Sequence, residues 1–139
     1  NEYNIPNSGE DRFEIKEHLF IKDLLACAQF ALFPEDDLTC ATLLRSPLIE
    51  IDDQLLEDLC VNRKKPLYQL YESEFLSKLL ASKHMSPKDF FYFIISAFRH
   101  KYLPYYGASL KNLISQFSGL IDEFEKDNVP NKIMLIRSP

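Results

Sequence analysis

The run Phe90-Phe91-Tyr92-Phe93-Ile94-Ile95-Ser96-Ala97-Phe98 constrains the fold more than any other stretch of the chain. It is apolar on nearly every side. A helix built from it has no wet face, so it is expected as the most buried helix, with other elements gathered round it. Its opening is also written in the sequence. Ser86 is placed to be an N-cap, Pro87 suits the first helical position, and Asp89 supplies the acid of an approximate capping box.

The neighbouring segments read as helices that can surround such a centre. Ile21, Leu24, Leu25, Ala28, Ala31 and Leu32 recur with the helical period from Glu17 onward, and Pro34 ends the pattern. Asp36 or Asp37 then sits at the next N-terminus, where the helix dipole favours an acid. Leu38, Ala41 and Leu44 form that helix's apolar stripe, and Ser46-Pro47 stops it. Asp52 is an N-cap candidate for a third helix, with Leu55, Leu56, Leu59 and Cys60 facing inward. Beyond Asn62 to Pro66, a helical stretch in one or two pieces extends to Lys83. Arg99 to Gly107 reads as a polar-aromatic connector. A last long helix repeats Leu110, Leu113, Ile114, Phe117, Leu120, Ile121 and Phe124 on one face. The expected fold is all-α, an irregular bundle of about six helices with extended terminal segments.

Composition narrows the function. At 139 residues the chain is one domain able to bury its own core. Only three glycines occur, so phosphate-cradling glycine loops have little raw material. The formal charge of −5 argues against a dedicated basic nucleic-acid face, though not against a local patch. Cys27, Cys40 and Cys60 fit neither a disulfide framework nor a metal motif and read as buried free thiols in a reducing, cytoplasmic compartment. Charges interrupt every apolar run before the roughly 18 residues a membrane span needs.

The search for chemistry finds no site for catalysis, cofactor or metal. Glu35, Asp36 and Asp37 read as dipole-complementing acids, and Asp52-Asp53 likewise. His18, His84 and His100 share no ligand spacing. Ser46 lacks the glycine elbow of a hydrolase nucleophile and reads as a turn residue. Two basic spots remain. Arg99-His100-Lys101 suits a helix C-terminus. Arg63, Lys64 and Lys65, in a loop followed by Tyr68 and Tyr71, are the candidates for phosphate contact.

Several phrases in order carry a resemblance: Ile5-Pro6, then Gly9, Asp11 and Arg12, the "Asp-Leu-Leu-Ala" of Asp23 to Ala26, and the "Pro-x-Asp-Asp-Leu" of Pro34 to Leu38. The "Leu-Arg-Ser-Pro-Leu" of Leu44 to Leu48 and the "Asp-x-x-Leu" of Asp52 to Leu55 follow. Over roughly residues 4–72 the chain resembles UvrD/Rep-type superfamily-one helicases, most closely the AddA-type subunits of helicase–nucleases. The resemblance implies a helical 2B-like subdomain over residues 17–128. Residues 1–16 would lead in as an extended segment from the second motor domain, and 129–139 would return to it. The start at Asn1 and the apolar close "NKIMLIRSP" read the same way, as a piece of a longer polypeptide.

The implied function is non-catalytic. The subdomain would position duplex DNA or regulate unwinding in double-strand break repair. ATP and Mg²⁺ would be used by the parent enzyme's motor and nuclease domains, with a second subunit of the AddB type as partner and no membrane. The glycine-centred duplex-contact loop of some UvrD relatives does not occur in this sequence. The alternative is a free-standing helical protein–protein interaction module with an exposed apolar groove, which the acidic charge favours.

Overall fold

The computed structural model describes residues 18–61 and 63–127, and all of the regular structure in them is helical. The segments 1–16 and 129–139, read as extended from the sequence, lie outside the described residues. In chain order the elements are α1 (Leu19–Leu32), α2 (Asp37–Arg45), α3 (Asp53–Cys60), α4 (Leu67–Leu70), α5 (Glu74–Ala81) and α6 (Pro87–Phe98). A 3-10 turn (Arg99–Tyr102), α7 (Leu103–Tyr106) and α8 (Ser109–Asp127) complete them. None of these helices is long and apolar enough to cross a membrane.

The caps lie where the sequence puts them. Asp36 accepts from the backbone N–H and hydroxyl of Thr39, Asp52 from Leu55 N–H, and Ser86 from Asp89 N–H. Each satisfies a backbone donor that the first helical turn cannot. Ser73 caps α5 through Leu76 N–H in the same way. Pro34 and Ser46-Pro47 end α1 and α2 as expected.

The centre of the bundle lies elsewhere than the sequence implies. α1 is the most enclosed helix: Phe20, Ile21, Leu24, Cys27, Ala28, Phe30 and Ala31 are all buried, against α2, α5 and α6. α6 buries one side only, through Phe90, Phe91, Ile94 and Ile95, and leaves Tyr92 73% exposed. The physical reason is that α1's small residues, Ala28 and Ala31, let neighbours approach closely, whereas α6's aromatics crowd its surroundings. Phe91 stacks edge-on against Phe90 and against Phe117 of α8, with centroids 5.3 and 5.1 Å apart. That fixes α6 and α8 as a pair.

Two further expectations are corrected. In α2 the buried stripe is Cys40, Leu43 and Leu44, and Leu38 is 80% exposed. With 3.6 residues per turn, Leu38 falls nearly opposite the face that Cys40, Leu43 and Leu44 turn to the core. In α3 only Leu56 is buried; Leu59 is half-buried, Leu55 is exposed, and Cys60 is an exposed thiol, unlike the buried Cys27 and Cys40. A two-turn surface helix offers one narrow face to the core.

The same residue change should therefore cost very different amounts on α2. Leu43→Ala is expected to lower the unfolding free energy by about 2–5 kcal/mol. Leu38→Ala should stay within about 0.5 kcal/mol. Urea unfolding followed by circular dichroism reads both, and equal losses would refute this register of α2.

Candidate functional site

Two polar constellations stand out against this background. The first is the loop from Arg63 to Pro66. Its residues cannot form a helix across Pro66, whose ring removes a donor and restricts Lys65. The structure ties the loop down through Asp37 at the start of α2. One carboxylate oxygen of Asp37 accepts from Leu67 N–H at 2.9 Å, and the other pairs with the Arg63 guanidinium at 2.6 Å. Arg63 also donates to the Lys65 carbonyl at 3.3 Å. Lys64 and Lys65 beside it are exposed. Of the candidate phosphate-contact residues, Arg63 is thus a brace and the two lysines are the available cations. Asp37, read from sequence as a solvated dipole partner, is the brace's anchor.

The second constellation is buried. Asp23 lies in the second turn of α1 and is 2% exposed. A carboxylate there requires a donor, and Tyr102 supplies it from the 3-10 turn, its hydroxyl donating to Asp23 at 2.7 Å. The Tyr102 ring also packs edge-on against Phe20, with centroids 4.7 Å apart. Ser46 approaches the same phenol and is itself buried. Its hydroxyl donates to the Leu43 carbonyl and accepts from Leu48 N–H, so it closes the turn after α2. Lys101 donates to the Leu48 carbonyl at 3.1 Å, and Tyr106 accepts from Phe20 N–H at 3.1 Å.

The segment from Arg99 to Gly107 is therefore a clasp rather than a connector. Nothing local in "RHKYLPYYG" signals that tertiary role. The one sign in the sequence is Asp23 itself, an acid on the apolar face of α1, which the helical count passes over.

The electrostatics of the node follow from burial. Loss of hydration pushes the Asp23 carboxyl up to about 6, against the opposing pull of the Tyr102 hydrogen bond. The same burial raises the Cys27 thiol well above its ordinary value, and the neighbouring Asp23 charge adds to it. Burial, together with the Asp23 bond and charge, likewise raises the Tyr102 phenol. Cys40 is raised to about 11, by burial first and then by nearby Asp37. Both buried thiols are neutral at physiological pH and unsuited to nucleophilic work.

Among the described residues no group of three or more His, Cys, Asp or Glu side chains is placed to hold a metal ion. What the arrangement offers chemically is a rigid display of two ammonium groups on one side and a structural acid inside. Compared with family models, curated proteins and solved structures, the chain matches none.

The Asp23 shift gives a signed pH dependence. Its folded value of about 6 lies above the ordinary 3.8, so the folded state holds the proton more tightly. The stability it contributes is fully present below pH 4 and is lost as pH rises through 6. Asp23→Asn removes the titration. Wild-type minus D23N unfolding free energy is expected to grow by up to ~3 kcal/mol on acidification from pH 7 to 4. Denaturant titrations at several pH values measure it, and a flat difference would sink the assignment.

Proposed function

We propose that this chain is a non-catalytic helical domain of a UvrD/Rep-type DNA helicase–nuclease of the AddA kind. In that reading it meets duplex DNA through Lys64 and Lys65 and so positions the duplex or regulates its unwinding. The observation that carries the DNA contact is the braced loop. Two adjacent lysines are exposed while the arginine beside them is held by Asp37. Fixed cations lose less conformational freedom on meeting phosphate than cations on a slack loop.

The helicase assignment is supported by the phrases that carry the resemblance and by their use in the fold. Asp23 of "Asp-Leu-Leu-Ala" and Ser46 and Leu48 of "Leu-Arg-Ser-Pro-Leu" meet around the segment Lys101–Tyr102. Asp36 and Asp37 of the phrase between them cap α2 and anchor the loop. These residues serve architecture, as suits an accessory domain. ATP and Mg²⁺ belong, in this reading, to the parent's motor and nuclease domains. A subunit of the AddB type is the partner, in the cytoplasm.

The test is fluorescence anisotropy of the 139-residue chain on a duplex with a single-stranded tail, across a salt series. Lys64→Glu with Lys65→Glu is expected to abolish binding at moderate salt, and Lys64→Gln with Lys65→Gln to flatten the log–log salt slope by about 2. Arg63→Gln should loosen the loop and lower stability by about 1 kcal/mol, the scale of a partly exposed ion pair, with a smaller effect on binding. Absence of binding by the wild-type chain at low salt, or an unchanged slope in the double variant, would overturn the assignment of these lysines.

A further inference from the structure

α6 and α8 run antiparallel. The start of α6 lies at the end of α8, where the Lys88 N–H donates to Glu125 at 2.8 Å and the Lys88 ammonium sits 3.6 Å from Asp122. Midway, Phe91 and Phe117 stack. Along the outer side of this pair lies a groove of about 330 Å³. Phe91, Tyr92, Ile95, Ile114 and Ile121 line it, together with Ser96 and Ser118. A cleft between two packed helices, with an apolar middle and charged ends, is the shape into which a third helix lays its own apolar stripe.

The two ends of the groove differ in charge. At the α6 N-terminus the carboxylates of Asp89, Asp122, Glu123 and Glu125 outnumber the ammonium groups of Lys88 and Lys126. At the opposite end stands Arg99, which makes no ion pair with a described residue. A helix carries partial positive charge at its N-terminus and negative at its C-terminus, so natural helices place acids first and bases last. A helix with an acidic first turn and a basic last turn matches the groove in one direction. Its N-terminus lies at Arg99 and its C-terminus at Asp89 and Asp122, parallel to α8.

From this we infer that the α6–α8 groove is a docking site for an amphipathic helix of a partner protein, acidic at its N-terminal end and basic at its C-terminal end. Tyr92 is the anchor. It is the large side chain of the groove left most exposed, with an apolar ring and a polar tip of the kind that dominates helical interfaces. The groove is separate from the lysine loop, which belongs to α2, α3 and α4, so its role is independent of whether that loop touches DNA.

The probe is a synthetic helical peptide about four turns long, with leucines at i, i+3, i+4 and i+7, glutamates in its first turn and lysines in its last. Two controls carry glutamates at both ends or lysines at both ends. Titrated at low salt, the first peptide is expected to bind the chain at least 10-fold more tightly than either control. Tyr92→Ala, at an exposed position, should leave the melting temperature unchanged and weaken binding at least 10-fold. Arg99→Glu should transfer the preference to the peptide with lysines at both ends. Equal binding of the three peptides, or undiminished binding to Tyr92→Ala, would overturn the proposal. So would a self-association of the chain that Tyr92→Ala abolishes, because the groove would then belong to a second copy.

Discussion

An acid inside a helix is the constraint from which much of this structure follows. α1 is the most enclosed helix, and Asp23 lies in its second turn with almost no access to water. Left alone there, a carboxylate would cost several kcal/mol or give up its charge. The Tyr102 hydroxyl offsets part of that cost, and it comes from 79 residues away, so the chain must return to α1 at this point. Once Tyr102 is placed, the 3-10 turn after α6 cannot slide. Lys101 then reaches the Leu48 carbonyl, and Tyr106 reaches the first turn of α1. Three polar groups within one short segment thus tie α1, the turn after α2 and the end of α6 together. Apolar packing supplies most of the energy of the bundle, but it is non-directional, and these bonds select one arrangement among many.

A smaller version of the same device organises the loop. Asp37 uses its two oxygens for two partners, a backbone N–H at the start of α4 and the Arg63 guanidinium. The ion pair alone is worth little at a partly exposed position. Its effect is positional: with α4 and the loop both held by one side chain, Lys64 and Lys65 are presented from a fixed base.

The sequence makes the helices legible because helix limits are set locally. Asp36, Asp52 and Ser86 each act on a donor two or three residues away, and Pro34 and Pro47 act on their own backbone. The periodic face of α8 is legible because Leu110 through Phe124 line one side of a single long helix, turned to α6 and α7. What the sequence hides is tertiary. The aromatics of α6 look buried on every side, yet a helix packed against α1 and α8 still leaves Tyr92 uncovered. Leu38 looks like core, but α2 packs on α1 through Cys40, Leu43 and Leu44, a face that leaves Leu38 outside. Tyr102 looks like linker because its partner is distant in the chain. Arg63 looks like its two lysine neighbours, and only the position of Asp37 separates a brace from a free cation.

The formal charge of −5 is a sum, and its distribution matters more than its value. Asp89, Asp122 and Glu125 concentrate negative charge where α6 begins and α8 ends, while Lys64 and Lys65 stand on a loop that packs with α2 and α4. α1 lies between the two regions and contacts both α2 and α6. Among the described glycines, only Gly107 adopts a left-handed backbone, at the junction before α8. A pivot there would have to break the Lys88 contacts to Glu125 and Asp122 and separate the Phe91 and Phe117 rings. The elements that join the two regions, α1, α2 and α6, contain no glycine at which to bend. If the loop and the groove each take a ligand and neither ligand moves these elements, the two binding free energies should add.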